Sequence, residues 1–343
     1  MRNVLITGGA GYIGSHTTKL LSRKGYCPVV LDNLSSGHRW AVRGPFVHGS
    51  LADYDLLCDV LSKYRIDSVI HFAAHAYVGE SMDRPEKYFQ NNVVNSLTLL
   101  QAMLTKRVNR IVFSSSCTVY GEPRVLPLTE DHPQNPSNPY GDSKLFVEKV
   151  LRWYGVAHGL QSVALRYFNA AGADPEGDLG EVHDPETHLI PLVIETALKL
   201  RPAIEIYGTD YQTPDGTAVR DYVHVSDLAV AHLQALEYLN GGGASDTFNL
   251  GTGRGHSVKE VIETVERVSG FPVSAEERGR RPGDPPMLVA SAGKARQALG
   301  WEPQYVTLDA IVRTAWAWHS HQSRDSLFSP VSGQDRKEKQ GAG

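Results

Sequence analysis

Cysteine is scarce in this sequence, and long apolar runs and an excess of basic charge are missing. The chain of 343 residues contains only Cys27, Cys58 and Cys117, and no two of them form a CxxC pair. This pattern excludes a zinc knuckle and a disulfide framework, and it favours a reducing compartment. No apolar stretch approaches the ~18–20 residues that a membrane span needs, and the first residues lack a signal-peptide pattern. We therefore expect a cytoplasmic protein without membrane association.

The charge and composition are those of an ordinary globular protein. The formal net charge is −4 at pH 7, so the composition predicts no basic surface for nucleic acid. Hydrophobic residues make up 41% of the chain, which is enough for a sizeable core and excludes a disordered protein. At roughly 150 residues per domain, the length suggests about two domains.

Short apolar runs alternate with helical patterns in the first half of the chain. Val4–Ile6 and Pro28–Leu31 are candidate strands, and Tyr12–Lys24 between them has a helical pattern that ends at Gly25. The alternation continues to Tyr167 and is typical of βαβ units in a parallel sheet that is covered on both faces. The sequence therefore predicts an α/β fold, with a Rossmann-type doubly wound parallel sheet and a smaller mixed α/β domain.

The alternation ends near residue 170, where a segment rich in Gly, Asp, Pro and His predicts a loop. We expect residues 1–170 to form the first domain, completed by about 220–250. Residues 171–219 and 251–325 are expected to form the second domain. The polar, glycine-containing segment 326–343 is predicted to be disordered.

A glycine-rich turn follows the first predicted strand. Residues 7–14 read TGGAGYIG, in which Gly8, Gly11 and Gly14 form GxxGxxG at the start of the helical pattern. Glycines at these positions let the backbone approach a pyrophosphate, whose charge then lies at the helix N-terminus. The next strand ends near Asp32, 18 residues after Gly14, where a carboxylate can accept hydrogen bonds from ribose hydroxyls and disfavours a 2′-phosphate. The pattern predicts a dinucleotide site that takes NAD rather than NADP.

A second constellation combines a serine run with a tyrosine and a lysine. Tyr140 and Lys144 are four residues apart at the start of a predicted helix, so both side chains lie on one face. Ser114, Ser115 and Ser116 close a predicted strand, at the edge where α/β sheets bind ligands. A phenol has a pKa near ~10, but a neighbouring ammonium favours the phenolate. Tyr140 is therefore a candidate proton-transfer residue for hydride chemistry at a hydroxyl-bearing carbon.

Ordered sequence blocks along most of the chain support this interpretation. They are TGGAGYIGSH (7–16), HFAAHAYVGES (71–81), FSSSCTVYG (113–121), PYGDSK (139–144), LRYFNAAGA (165–173), DGTAVRDYVHV (215–225) and RRPGD (280–284). With these blocks the chain resembles the extended short-chain dehydrogenase/reductase family, from Met1 to about His321. Within that family it looks like the isomerases that interconvert UDP-glucose and UDP-galactose at sugar C4 with tightly bound, recycled NAD. The resemblance implies a homodimer, with NAD in the first domain and the nucleotide-sugar in the second.

The resemblance also implies roles for individual residues. Tyr140 would transfer the proton, Lys144 would hold the nicotinamide ribose and tune Tyr140, and Ser116 would bind the sugar 4-oxygen. The NAD site would be lined by Gly8, Gly11, Tyr12, Ile13, Gly14, Asp32, Asn33, Ser36, Phe72, Ala73, Ala74, Asn91, Lys144 and Phe168. The nucleotide-sugar would contact Ser116, Tyr140, Asn169, His188, Leu189, Tyr207, Arg220, Arg281 and Asp284. No metal site is predicted.

Relatives with the same tyrosine and lysine catalyse other reactions, so further residues must decide between them. The resemblance implies that sugar 4,6-dehydratases carry an Asp-Glu pair at the two positions where this chain has Cys117 and Thr118. Neither of these residues is a useful acid. Two alternatives stay open. One is 4-epimerisation of another UDP-sugar, such as UDP-N-acetylhexosamine or UDP-arabinose/xylose, and the other is net NAD-dependent oxidation or reduction of a nucleotide-sugar. Leu288 lies where some relatives have tyrosine beside the hexose, which would leave room for a 2-acetamido group.

Overall fold

The computed structural model describes residues 2–281 and 284–328. The strands are β1 (Asn3–Thr7), β2 (Cys27–Asp32), β3 (Phe46–His48), β4 (Ser68–His71), β5 (Arg110–Ser116), β6 (Gln161–Tyr167), β7 (Asn169–Ala171), β8 (Ile204–Tyr207), β9 (Val219–His224), β10 (Asp246–Leu250), β11 (Gly255–Ser257), β12 (Ala275–Arg278) and β13 (Met287–Leu288). The helices are α1 (Tyr12–Arg23), α2 (Tyr54–Lys63), α3 (Val78–Asp83), α4 (Pro85–Tyr88), α5 (Asn95–Thr105), α6 (Pro139–His158), α7 (Leu189–Ala197), α8 (Val225–Asn240), α9 (Val258–Ser269), α10 (Gly293–Leu299) and α11 (Leu308–Phe328).

A parallel sheet with the strand order β10-β6-β5-β4-β1-β2-β3 forms the centre of the structure. Its strands are nearly continuous apolar runs, and Val4, Leu5 and Ile6 of β1 are fully buried, because helices cover both faces. Helices α1 and α8 pack on one face, and α2, α5 and α6 pack on the other. The order of the strands reverses between β1 and β4, and open α/β sheets bind ligands at the carboxyl ends of the strands at such a point. The predicted Rossmann-type fold is confirmed.

Short strands and three helices form a smaller layer beside this sheet. Strand β9 pairs with β11, β13 and β7, and β8 pairs with β12. Helices α7, α9 and α11 enclose an apolar core of their own, which includes Val193, Val261 and Ile311. Between these parts, α8 and β10 return to the central sheet. Both lie within the segment 220–250 that we expected to complete the first domain, and the domain limits themselves stay a prediction.

The helical pattern over Pro85–Arg107 predicts one long helix, which the structure interrupts. Helix α4 passes into a π-helical segment, Phe89–Val94, before α5 begins at Asn95. π-helical turns are frequent at functional sites. This one carries Asn91, a predicted cofactor residue, together with Asn92.

Helix α11 extends through residues 326–328, where the disordered tail was predicted to begin. The rest of that predicted tail, 329–343, lies outside the described residues. Within the described part of the chain, no helix combines enough length with enough hydropathy to span a bilayer.

Candidate active site

The glycine-rich turn packs too tightly for side chains at two of its three predicted positions. Gly8 has a φ of +73°, and a Cβ there would lie 2.5 Å from the amide nitrogen of Ala73. A Cβ at Gly14 would lie 2.3 Å from the carbonyl oxygen of Gly8. At Gly11 the nearest atom to such a Cβ is the carbonyl oxygen of Gly8 at 3.4 Å, which is an ordinary contact, so this position is less crowded than the other two. Helix α1 begins there without a side-chain cap and without an acidic residue in its first turn. Its amide groups and dipole therefore suit a bound anion.

Asp32 is held rigidly at the carboxyl end of β2. One carboxylate oxygen accepts a hydrogen bond of 3.0 Å from the amide of Ala10, and the other accepts one of 2.8 Å from the amide of Leu34. Asn33 follows, and its side chain accepts a bond of 3.0 Å from the amide of Ser35. This turn fixes a buried carboxylate beside the glycine loop, as the predicted ribose contact requires.

The segment that follows β4 packs against the glycine-rich turn. The amides of Phe72 and Ala73 both donate to the carbonyl oxygen of Thr7, at 2.9 and 3.1 Å. Asn92 ties the same segment to helix α6, because its amide group donates to the carbonyl of His75 and to Ser143 Oγ, each at 3.0 Å. The sequence analysis assigned no role to Asn92. Its neighbour Asn91 was predicted to contact the cofactor, and it donates to the Asn92 side chain at 3.0 Å.

The predicted catalytic residues Ser116, Tyr140 and Lys144 meet at the carboxyl end of β5. Helix α6 starts with Asn138 as its cap, whose side chain accepts a bond of 2.8 Å from the amide of Gly141. A Cβ at Gly141 would lie 2.7 Å from the carbonyl oxygen of Thr118, so the helix start packs directly on the segment after β5. This close approach places Tyr140 beside Ser116, whose hydroxyl lowers the pKa of the phenol.

Lys144 lies one helical turn after Tyr140 and is almost fully buried. Its Nζ donates a hydrogen bond of 2.8 Å to the carbonyl oxygen of Ser114. The same Nζ lies 5.8 Å from the centroid of the Tyr140 ring and 5.1 Å from that of Phe113. The lysine is therefore placed to act on the phenol through its charge.

Burial dominates the protonation of this group. It raises the pKa of Tyr140, an effect that the hydrogen bond from Ser116 partly offsets. Burial lowers the pKa of Lys144 to about 7, against the opposing charge of Glu148. A phenol with a raised pKa is a proton donor, and it becomes a base only when positive charge near it lowers its pKa. Cationic Lys144 and a cationic nicotinamide ring supply charge of that sign.

A buried ion pair contacts the serine run at the end of β5. Arg166 and Glu148 form a bidentate pair, with a distance of 2.9 Å from Arg166 Nε to the carboxylate. Ser115 Oγ donates to the same carboxylate at 2.5 Å, and Arg166 also donates to the Tyr120 hydroxyl at 2.9 Å. The sequence analysis missed this network. Its only local signal is the position of Glu148, four residues after Lys144 on the same helix face.

Six of the residues predicted to hold the nucleotide-sugar fall into two groups. In the first, Arg220 is paired with the carboxylate of Asp284, and the guanidinium of Arg281 lies 3.9 Å from the ring centroid of Tyr207. The amide of Asp284 donates to the carbonyl of Arg281 at 3.3 Å, which links the two pairs. The guanidinium groups of Arg220 and Arg281 each offer a planar set of donors that matches phosphate oxygens.

Asn169, Phe168 and Leu288 lie between this group and the catalytic residues. Asn169 donates to the carbonyl of Asp221 at 3.2 Å. Phe168 and Leu288 are buried in one apolar cluster with Cys117. Burial raises the pKa of the Cys117 thiol to about 12, so it stays protonated at neutral pH.

His188 and Leu189 begin helix α7 and form the second group. His188 Nδ1 lies 2.8 Å from a carboxylate oxygen of Glu181 and 3.1 Å from one of Glu186. These carboxylates raise the pKa of His188 to about 10, against the effect of burial. The sequence analysis predicted His188 as a substrate contact and did not identify its two acidic partners.

Comparison with known proteins agrees with this geometry. Residues 4–251 match the model of the NAD dependent epimerase/dehydratase family. A UDP-glucose 4-epimerase of Halalkalibacterium halodurans is 52% identical over 317 residues, which cover 92% of this chain and 95% of that protein.

Solved structures similar to this one are also those of UDP-glucose 4-epimerases. The UDP-glucose 4-epimerase from Brucella ovis in complex with NAD has a TM-score of 0.91 and 52% identity, covering 92% of this chain and 98% of that one. The UDP-glucose 4-epimerase from Bifidobacterium longum in complex with NAD+ and UDP has a TM-score of 0.89 and 40% identity, covering 94% and 99%. The family resemblance is confirmed, and this chain belongs to the NAD dependent epimerase/dehydratase family.

Proposed function

We propose that the protein is an isomerase that interconverts UDP-glucose and UDP-galactose by inversion at sugar C4, with NAD that remains bound through the cycle. The observation that carries the proposal is the meeting of Ser116, Tyr140 and Lys144 at the sheet edge, while Cys117 and Thr118 occupy the next two positions. The relatives from Halalkalibacterium halodurans and Brucella ovis, each 52% identical to this chain, are UDP-glucose 4-epimerases and act on the same nucleotide-sugars.

The residues present fit the dinucleotide. Gly8 and Gly14 keep the loop tight, and α1 begins without a side-chain cap. Asp32 presents a carboxylate where the ribose hydroxyls of NAD would lie. When bound, NAD supplies reversible hydride transfer at sugar C4.

The chain's own residues move one proton. Tyr140 accepts the proton of the sugar 4-hydroxyl as the 4-keto sugar forms, and it returns that proton when the ketone is reduced on its other face. Ser116 binds the 4-oxygen and orients it toward the phenol. Lys144, when charged, favours the phenolate that accepts the proton.

The absence of a second acid separates this reaction from a dehydration. Loss of water from the sugar needs another acid and base beside the ketone, and at the expected positions this chain has a thiol with a raised pKa and a threonine hydroxyl. An epimerisation needs only the proton that Tyr140 carries. The diphosphate would stay anchored by Arg220 and Arg281 while the sugar turns.

The test is to incubate the purified protein with UDP-galactose, without added cofactor, and to follow the sugar anomeric signals by NMR. Conversion to an equilibrium mixture with UDP-glucose supports the proposal. If UDP-galactose stays unchanged, also with catalytic NAD+, the proposal is wrong. Conversion that consumes NAD+ stoichiometrically would instead identify a net oxidoreductase.

We further propose that the protein is a cytoplasmic homodimer. Phe146, Trp153 and Val156 on α6 are more than half exposed, and Val94 at the end of the π-helical segment is 44% exposed. An apolar surface on neighbouring helices is typical of a subunit interface. The expected result is a dimer by light scattering that becomes a monomer in Trp153→Glu with the fold retained. A monomeric wild-type protein would contradict it.

A further inference from the structure

A second cluster of charged side chains lies in the segment between β7 and α7. Glu181, His183, Glu186 and His188 each direct one ligand-type atom into the same space, and these atoms all lie within 4.8 Å of one another. Two are imidazole Nδ1 atoms and two are carboxylates. Of the four, only His188 was predicted from the sequence to have a role, as a substrate contact, and that role leaves the convergence of the other three unexplained.

The distances suit a shared metal ion. His183 Nδ1 is 3.3 Å from Glu181 Oε1 and 3.5 Å from Glu186 Oε2. His188 Nδ1 is 2.8 and 3.1 Å from the Oε1 atoms of the same two glutamates. Ligands that surround zinc tetrahedrally at about 2.0–2.2 Å are about 3.3–3.5 Å apart. Small side-chain movements therefore suffice for coordination.

His183 Nδ1 faces both carboxylates rather than one, and together they raise the pKa of this imidazole to about 9 against the effect of burial. Its Nδ1 is buried and makes no hydrogen bond among the described residues, although Glu181 Oε1 is 3.3 Å away. An N–H group in an ion pair at this distance is expected to point at one oxygen. A ring nitrogen that binds a metal points between the other ligands, toward the ion that they share.

Outer contacts already hold the carboxylates in place. Glu186 Oε1 accepts bonds of 2.7 and 2.8 Å from the amides of Thr187 and His188. The carbonyl of Glu181 accepts a bond of 3.3 Å from Trp318 Nε1. Such outer contacts orient metal ligands. The glutamate side chains are 4% and 7% exposed, while that of His188 is 45% exposed and leaves a path for an ion to enter.

We propose that Glu181, His183, Glu186 and His188 bind one zinc ion. Imidazole ligands suit zinc, whereas magnesium and calcium prefer oxygen alone. The carboxylates hold both imidazoles protonated in the absence of metal, so zinc binding releases these protons to solvent. Zinc with two carboxylates and two neutral imidazoles has no net charge, which suits a buried site. The proposal departs from the expectation from the sequence, which was that the chain has no metal site.

The ion has a structural role. It fixes the segment 181–188, which leads directly to Leu189 at the start of α7. The rings of Tyr12 and Tyr77 lie edge-on to His183, with centroids 6.5 and 6.0 Å away, so the segment is fixed against the cofactor side of the molecule. The site does not depend on which nucleotide-sugar the protein takes.

The test uses full-length protein without a polyhistidine tag, freed of metal with a chelator and then dialysed. Cobalt(II) serves as the spectroscopic probe and zinc(II) as its competitor. We expect one cobalt per chain with the visible absorption of a tetrahedral site, its displacement by zinc, and a higher Tm in zinc. His183→Ala and the near-isosteric Glu186→Gln should each weaken cobalt binding at least about 10-fold.

Glu176→Gln is the matched control. Glu176 belongs to a second acidic group, Asp174, Glu176 and Asp178, whose space is filled by Lys19 Nζ at 2.5, 3.0 and 2.8 Å. This variant should bind cobalt as the wild type does. Absence of saturable binding by the wild type overturns the proposal, and so does cobalt binding that persists unchanged in both His183→Ala and Glu186→Gln. If these variants do not fold, the cobalt titration of the wild-type protein alone decides whether the chain binds one metal ion.

Discussion

Lys144 donates a hydrogen bond of 2.8 Å from Nζ to the carbonyl oxygen of Ser114, at the end of the strand that carries Ser116. This bond joins helix α6 to strand β5 within the catalytic group. It also holds an ammonium in a buried place, where burial lowers the pKa of the lysine to about 7. The lowered pKa of this lysine makes the stability of the protein depend on pH.

The first prediction concerns the pH dependence of stability in nucleotide-free protein. An unfolded lysine has a pKa of about 10.4, so between pH 7 and pH 10 the unfolded chain binds more protons at Lys144 than the folded chain does. The free energy of unfolding should therefore rise with pH over this range, relative to the Lys144→Met variant. Urea unfolding of both proteins at several pH values measures the difference. A difference that stays constant with pH would contradict the lowered pKa.

Replacement of Tyr140 by Phe should lower turnover of UDP-galactose by about 10²–10⁴-fold, because it removes the group that carries the proton. Binding of UDP should persist, since the guanidinium groups are untouched. Tyr154→Phe, also on α6, is the control and should keep wild-type turnover. The measurements are turnover by NMR and UDP binding by calorimetry. Near-normal turnover of Tyr140→Phe would remove this tyrosine from the mechanism.

The Arg166–Glu148 pair should be essential for stability, because both side chains are more than nine-tenths buried. Arg166→Met leaves an unpaired buried carboxylate and should lower the free energy of unfolding by about 3–5 kcal/mol. Arg267→Met breaks an exposed pair with Asp309 and should cost about 0–1 kcal/mol. Urea unfolding measures both. Equal effects of the two substitutions would show that the buried network is not important.

Arg220→Lys should raise the KM for UDP-galactose about 10-fold or more and leave kcat nearly unchanged. The substitution keeps the charge and removes the planar fork that suits a diphosphate. Arg278→Lys is the control, because Arg278 lies on exposed strand β12 and pairs with Glu205 and Glu276. Steady-state kinetics of the three proteins is the measurement. A drop in kcat with unchanged KM would place Arg220 in the chemical step rather than in binding.

Leu288 offers a test of the sugar range. It lies on β13 opposite Arg220 and is buried beside Phe168 and Cys117. A larger side chain there should fill the space for a 2-acetamido group, so Leu288→Tyr should reduce conversion of UDP-N-acetylglucosamine more than conversion of UDP-galactose. Competition between the two substrates, followed by NMR, measures the ratio. A ratio that does not change would exclude Leu288 from selecting the sugar.

Local sequence patterns predicted the central sheet and the candidate catalytic residues. Val4–Ile6, the glycine turn and Asp32 are predicted from spacing alone, because a tight turn before a helix and a carboxylate after the second strand are set by neighbouring residues. Tyr140 and Lys144 share a face through the helical repeat itself. The place of the serine run at the ligand-binding edge follows from the predicted parallel sheet, whereas the order of the strands was not predicted.

The short strands and the partner contacts were decided by tertiary structure. Strands such as β7 and β13, with three and two residues, are too short to show a period, so only their pairing with β9 defines them. Arg220 meets Asp284 across 64 residues of sequence, and Arg166 meets Glu148 only because α6 packs behind β5. The side chains of Glu181, His183, Glu186 and His188 are close in sequence, but their ligand-type atoms come together only in the folded loop. A loop has no repeat that fixes where its side chains point, so their convergence depends on the surrounding packing.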